Sequence, residues 1–513
     1  MNKPTFNFRA ANKLVRALAA ASALSLLSAC VSYQGIQSQV QLKTLNADSG
    51  AFPGQGGSGS WPDNQWASSI GGADLQKLID QALQNNPSLQ VAAARLQAAK
   101  AMTAAVGANE LPSVNASFDS TYQRFTEKGL IPPPLAGTYH TNNQLALNAS
   151  YEFDFWGKHS AEMRAALSQE KVADAEGQSV RLMLGNAIAR SWLQLARQSS
   201  QLELSKQQLA IREKFDQLTQ QRVKAGLETK TETQQSLIQL SGLKNDIAQW
   251  QEAVALTRNQ IAALQGMGPE QGRNIPLPQF KPAADMALPG SLPLELLGRR
   301  PDIVAARWRV EASQGEVDVA KTQFYPNINL VGFAGLSSLG LSNLLQSGSS
   351  IIGVGPAIRL PIFEGGRLRA QLKGKMAAYD MAVATYNQSL TDALHEVADQ
   401  VQILQDSQAQ AIEQKAAEQA ARVSLQLAQQ RQKAGTANML PVLAAESAVL
   451  SQQKLLLELA IRHTESQINL IKALGGGYDS KTNFAAFAAT PRNANSNANT
   501  NNTTAASTSE AAL

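Results

Sequence analysis

A seven-residue phrase, QQRVKAG at 220–226, returns almost unchanged as QQRQKAG at 429–435. The surroundings repeat with it. NPSLQVAAARLQAA at 86–99 faces RPDIVAARWRVEAS at 300–313, ELPSVNASF at 110–118 faces FYPNINLVGF at 324–333, and YEFDFWGKHSAEMRAA at 151–166 faces IRLPIFEGGRLRAQLK at 358–373. The matches fall in the same order at a nearly constant offset, which marks an internal duplication. Whatever fold the chain adopts must therefore build one unit twice.

Each unit reads as helix, strand, loop, strand, long helix, tight turn, helix. The spacing predicts helices over 87–107 and 301–322, stopped by Pro112 and Pro326, because proline disfavours helix in the residue before it. Strands are expected at about 113–123, 144–155, 327–335 and 352–363. In the first, Val114, Ala116, Phe118 and Tyr122 share one face, with Asn115, Ser117, Asp119 and Thr121 on the other. In the second, Leu145, Leu147, Ala149, Tyr151, Phe153 and Phe155 alternate with Asn148, Ser150, Glu152 and Asp154. The third alternates poorly. Period two over about ten residues fits a transmembrane β-strand, apolar to lipid and polar to a lumen; a half-buried soluble sheet gives the same pattern. The loops expected at 124–142 and 336–351 are long, which places them outside the membrane and the helices in the periplasm.

Residues 158–225 and 366–434 contain no proline. At about 1.5 Å per residue each run reaches roughly 100 Å, which demands side-by-side helix packing rather than a globule. Leu195, Leu202 and Leu209 form one seam, and Leu204, Ile211 and Leu218 a second on nearly the opposite side. A helix with two seams has a neighbour on each flank, as in the wall of a tube. The return helix carries Leu240, Leu243, Ile247, Trp250, Val254, Ile261 and Leu264 at three-four spacing. The repeated phrase then explains itself: Gly226 and Gly435 supply the left-handed residue that ends each long helix, after Lys224 and Lys433 have complemented its dipole.

The N-terminus is not part of this fold. Lys3, Arg9, Lys13 and Arg16 precede the apolar run LAAASALSLL, and no acid lies among them. This is a secretory leader, too short to span a bilayer. Without it the formal charge falls from +5 to +1, so the alkaline balance gives no reason to expect nucleic-acid binding. Cys30 is the only cysteine, which excludes an intrachain disulfide and a cysteine metal site. Leu27-Ser28-Ala29-Cys30 resembles the lipobox of bacterial lipoproteins, in which the cysteine becomes the acylated first residue, and Val31 in place of an aspartate implies the outer membrane.

Four strands cannot close a barrel, and open edges are not tolerated in lipid. Copies must pool their strands, and about eight is the usual minimum.

The lipobox, LLGRRPDIVAARWRVEAS at 296–313, YPNINL at 325–330, LPIFEGGRLRA at 360–370 and the two tip phrases together resemble the TolC-like outer-membrane efflux factors, specifically the NodT-type lipoproteins that serve RND pumps. The resemblance covers nearly all of 30–475. It implies an α+β membrane protein: a homotrimer whose strands close a twelve-stranded barrel continued by a periplasmic helical tube. Shorter elements form a belt around that tube. It implies a passive exit duct for drugs or other toxic compounds, with a periplasmic membrane-fusion adaptor and an inner-membrane RND transporter as partners, and contact with outer-membrane lipid. The expected organisation is a leader over 1–29, a lipid-anchored linker over 30–72, repeats over 73–280 and 281–475, and a tail over 476–513 whose low-complexity end is disordered. The resemblance also implies that the tips contact the adaptor and that the tube closes near the second tip. There Leu440 falls on the apolar constriction position, with Met439 beside it. Ala444 and Ser447 stand where the family often carries an aspartate and an arginine; Glu446 is close by, and Glu232 falls where the first unit often has an acid. Plain hairpin packing is the alternative reading of Leu440.

No catalytic constellation, cofactor motif or metal-ligand spacing is present. His140, His159, His395 and His463 stand apart, and Asp392, Glu396 and Asp399 near His395 fit a solvated, lumen-facing helix stripe. Two rivals keep parts of the pattern: a periplasmic coiled-coil spacer without a channel, and the same duct coupled to a type I protein-secretion system or another transporter.

Overall fold

The computed structural model describes residues 32–43, 59–283, 286, 298–479 and 484. Cys30, the leader and the low-complexity end of the tail lie outside the described residues.

Helix α1 (Trp66–Asn85) breaks at Gly72, where φ is 67° and ψ −164°, at the expected start of the first repeat. Asn86 then accepts the Ser88 N–H and, with Pro87 in the first turn, starts α2 (Pro87–Ala108). Strands β1 (Ser113–Arg124) and β2 (Tyr139–Glu152) follow, then the long helix α3 (Lys158–Lys224), its return helix α4 (Lys230–Leu264) and the short α5 (Pro269–Gly272). The second unit repeats the order: α6 (Pro301–Thr322), β3 (Asn327–Leu339), β4 (Ser350–Arg359), α7 (Arg367–Lys433) and α8 (Leu440–Ala473). Both long helices have 67 residues, close to the lengths expected from the proline-free runs.

The strand limits differ from expectation where pairing and proline decide them. β2 begins earlier than 144 because Tyr139 pairs with Arg124 across the hairpin. It ends before 155 because Asp154 turns away, its Oδ2 accepting the Ser160 N–H at the start of α3 (3.1 Å). β4 ends at Arg359 rather than 363, since Pro361 offers no N–H to continue a ladder. β3 runs on to Leu339 instead of stopping at 335 because β2 is available to pair as far as Asn142.

The strands form one antiparallel sheet in the order β1-β2-β3-β4. The helices pack as equivalent pairs: α2 on α3 and α6 on α7, then α3 on α4 and α7 on α8, with α3 joining the units through α6 and α8. Both predicted seams of α3 are at least partly buried, Leu195 completely.

The largest cluster of buried side chains among the described residues forms a belt midway along the long helices. Leu184, Ile188 and Leu193 of α3 meet Leu75 and Ile79 of α1, Leu89 and Leu96 of α2, and Ile461 and Ile468 of α8. Each such buried side chain contributes about 1.5–3 kcal/mol. On the second unit, residues 32–43 lie along α7 as a strap. Tyr33 and Ile36 pack against a cluster containing Phe324 and Leu368, and Val40 and Leu42 against one containing Ile303 and Tyr386. Lys43 N–H donates to Asn387 Oδ1 (2.8 Å), and Asn387 Nδ2 to the Gln41 carbonyl (2.9 Å).

Candidate functional site

The sheet has two unlike faces. Its register aligns Val114, Ala149, Gly332 and Val354 in one row, and Ala116, Leu147, Ala334 and Ile352 in the next. This apolar side is open: Ile352 is 87% exposed, Val354 79% and Val114 66%. The opposite side carries Asn115 beside Asn148, and Ser113 hydrogen-bonded to Ser150 (2.8 Å). β3 alternates poorly for a visible reason. Phe333 sits on the polar side over Gly353, where an added Cβ would meet the ring at 2.6 Å. A neighbouring glycine, invisible to a one-strand pattern, makes room for it.

Aromatic rings bracket the apolar face. Tyr122 and Tyr139 stack at the loop end, with ring centroids 5.5 Å apart. At the helix end Tyr151, Phe153 and Phe155 form a chain of ring contacts, and Trp156 stacks on Tyr325 at 4.7 Å. An apolar band between two aromatic girdles suits a bilayer and its two interfaces. Among the described residues no helix is long and apolar enough to cross a membrane.

Among the described residues, the outer edges of β1 and β4 have no partner strand. Phe125 N–H donates to the Thr138 carbonyl, and the Phe125 carbonyl accepts from Gly137 N–H, so the odd positions of β1 bond toward β2 and the even ones face the open edge. Ser337 N–H donates to the Ser349 carbonyl, which fixes the same parity for β4. Pro356 is thus an open-edge residue and costs the sheet no bond. On both edges the open backbone groups belong to residues of the apolar face.

At the far end of the long helices the tips are built alike. Gly226 and Gly435 have φ of 75° and 72°. Lys224 and Lys433 are both exposed. The tips differ in charge: Arg222 pairs with Glu228 at 2.7 Å, whereas Ala437 stands at the matching place in the second. Glu232 lies on α4, in a capping box with Thr229. The Thr229 hydroxyl and the backbone amides of Glu232 and Thr229 hold its carboxyl below the usual range. Its charge serves the start of a helix.

Leu440 opens α8, its N–H donating to Asn438 Oδ1 in the preceding turn (3.1 Å). Val442 and Leu443, 3% and 0% exposed, fill the hairpin, while Leu440 is only partly buried and Met439 is 39% exposed. Glu446 is partly buried, and Ser447 is tied to α3 through Gln208 Nε2 (2.6 Å). Leu440, Met439 and Glu446 share the start of α8, and Glu232 lies apart from them on the other return helix.

A further cluster joins residues that no local spacing links. Arg300, only 9% exposed along its side chain, donates to Asp302 (2.7 Å), Glu396 (2.8 Å) and the Ala473 carbonyl (3.2 Å). Lys472 holds the other Glu396 oxygen at 2.8 Å. Burial alone would raise both carboxyls, but the facing cations hold them below the ordinary range. Glu396 is thus not part of a solvated stripe; it joins α6, α7 and α8. The Arg-Pro-Asp segment signals a helix start, but nothing in it names partners so distant in sequence.

The model of the family described as "Outer membrane efflux protein" matches residues 78–267 and 292–476. The putative multidrug resistance outer membrane protein MdtQ of Shigella flexneri is 34% identical over 437 residues, covering 82% of this chain and 89% of that protein. The multidrug resistance outer membrane protein MdtP of Escherichia coli (strain K12) is 30% identical over 436 residues, covering 82% and 88%. Among solved structures, the outer membrane protein VceC of Vibrio cholerae superposes with a TM-score of 0.73 at 37% identity, covering 82% of this chain and all of that one.

Proposed function

The chain belongs to the outer membrane efflux protein family, and from that premise we propose that it is the passive exit duct of a tripartite efflux pump for drugs or other small toxic compounds. It is an outer-membrane channel with a periplasmic helical part, and not an enzyme. In the proposed assembly three copies pool their strands into a twelve-stranded barrel. Their helices close a tube, the tips at Gly226 and Gly435 meet a periplasmic adaptor, and an RND transporter in the inner membrane delivers the substrate. Acylated Cys30 adds an anchor, and Leu440 with Met439 narrows the periplasmic end.

One observation carries this reading: a four-stranded sheet with an apolar outer face and two open edges stands on helices of 67 residues. The edges need strands from other copies, and the helices are long enough to cross much of a periplasm. The names of MdtQ and MdtP, both multidrug resistance proteins, support drugs as the substrate class.

The test is co-expression with a candidate RND pump and adaptor in cells lacking their own duct. Restored drug tolerance and lower drug accumulation support the proposal. Export of a folded-domain protein substrate with no change in drug tolerance would instead favour coupling to type I secretion. The anchor is checked in the same cells: labelled fatty acid should enter the wild type and not Cys30→Ala, and equal labelling of the variant would remove the lipobox reading.

A further inference from the structure

We propose that Glu110 of one copy pairs with Arg359 of the next and so closes the seam between them. This rests on the reading of the chain as a ring of copies and names the contact that would join them. Arg359 is the last residue of β4, and Glu110 lies just ahead of β1. These are the two open edges of the sheet. Because the sheet is antiparallel throughout with an even number of strands, both residues stand at its helix end. A ring that adds β4 of one copy to β1 of the next brings these two ends together.

Several charges there are matched within the chain, and Asp154 and Arg369 are engaged by backbone groups. Glu152 is held by Lys158 at 3.0 Å, Asp318 by Arg164 at 3.4 Å, Glu364 by Arg367 at 2.7 Å, and Glu316 by Lys375 at 2.7 Å. Glu110 and Arg359 are exposed and, among the described residues, make no side-chain hydrogen bond or ion pair. They have opposite sign and lie on opposite edges. Pro112 and Pro356, the outward-facing prolines of the two edges, interrupt the seam ladder near its helix end, so that end falls within a few residues of both. Arg359 lies opposite Asn327 on the polar side of the sheet, so its charge faces water rather than lipid. The long guanidinium spans the stagger between tilted strands and meets a carboxylate in a forked geometry.

The test is a charge swap in the full chain, extracted in mild detergent. Light scattering first counts the chains per particle. Electrophoresis after graded heating in SDS then gives the temperature at which the particle dissociates. Glu110→Arg and Arg359→Glu should each lower that temperature by roughly 2–4 °C, and the double variant should recover most of the loss. Raising the salt should shrink the difference. If wild type assembles but the double variant is as weak as the sum of the singles, the pair is refuted and the ring stands. A monomeric wild type refutes both. Should a reversal prevent assembly altogether, the milder Glu110→Gln and Arg359→Gln cycle decides: coupling between the two supports the pair, and strict additivity overturns it.

Discussion

Gly226 and Gly435 end the two long helices with the same pair of backbone bonds. Gly226 N–H donates to Val223 O at 3.0 Å and Leu227 N–H to Arg222 O at 2.9 Å; Gly435 N–H donates to Gln432 O at 3.1 Å and Thr436 N–H to Arg431 O at 3.0 Å. This is a Schellman close, and it needs a left-handed residue at its centre. A Cβ at either glycine meets nothing within 4 Å. Alanine there would be strained by its backbone alone, by about 1–2 kcal/mol. Gly226→Ala and Gly435→Ala should therefore speed amide exchange at Leu227 and Thr436 while leaving the belt core protected. Unchanged exchange at both amides would contradict the assigned role.

The two sheet faces should respond oppositely to charge. Leu147→Arg places a cation on the exposed apolar side and should cost about 2–4 kcal/mol near a bilayer midplane. Asn148→Arg, on the polar side, should be mild. Folding into detergent micelles or vesicles, followed by chemical denaturation, separates them. Equal losses would mean that the apolar face does not meet lipid.

The Arg300 joint gives the stability a pH dependence. Its carboxyls are held below their ordinary values. The stabilisation is complete above the ordinary carboxylate range, near pH 4, and is lost as pH falls through the lower folded values. Wild-type thermal stability should hold down to about pH 5 and drop below about pH 4. Glu396→Gln should be less stable near neutrality and show a shallower acid loss. A variant with the wild-type acid slope would mean that other groups control it.

Much of this architecture was legible in the sequence because its long-range order is periodic. The duplication, the proline-free runs and the tip glycines each have a local cause, and α6 spans Pro301–Thr322 as its flanking signals require. What stayed hidden depends on partners in space. The start of β2 at Tyr139 is set by Arg124 across the hairpin. Phe333 faces the polar side because Gly353 leaves room on the next strand. Arg300, Glu396 and Lys472 meet only after folding. Glu232, expected as a gate acid by resemblance, is engaged by Thr229 in a local capping box whose spacing could have been read directly.

Leu440 is the proposed constriction. An apolar ring blocks ions by dewetting, and Ala444 and Ser447 provide no charge there. Leu440→Ser should raise the conductance of the reconstituted protein and sensitise cells to large antibiotics. Leu443→Ser serves as the packing control, since Leu443 is fully buried in the hairpin; it should lower stability. If Leu440→Ser conducts like wild type, the constriction lies elsewhere.

A closed channel requires above all the pooling of open-edged sheets from several copies. The most direct measurement is the number of chains per particle, by light scattering on the detergent-extracted protein corrected for bound detergent. Three chains per particle are expected. A particle holding one chain would leave β1 and β4 unpaired against the apolar phase and would contradict that pooling.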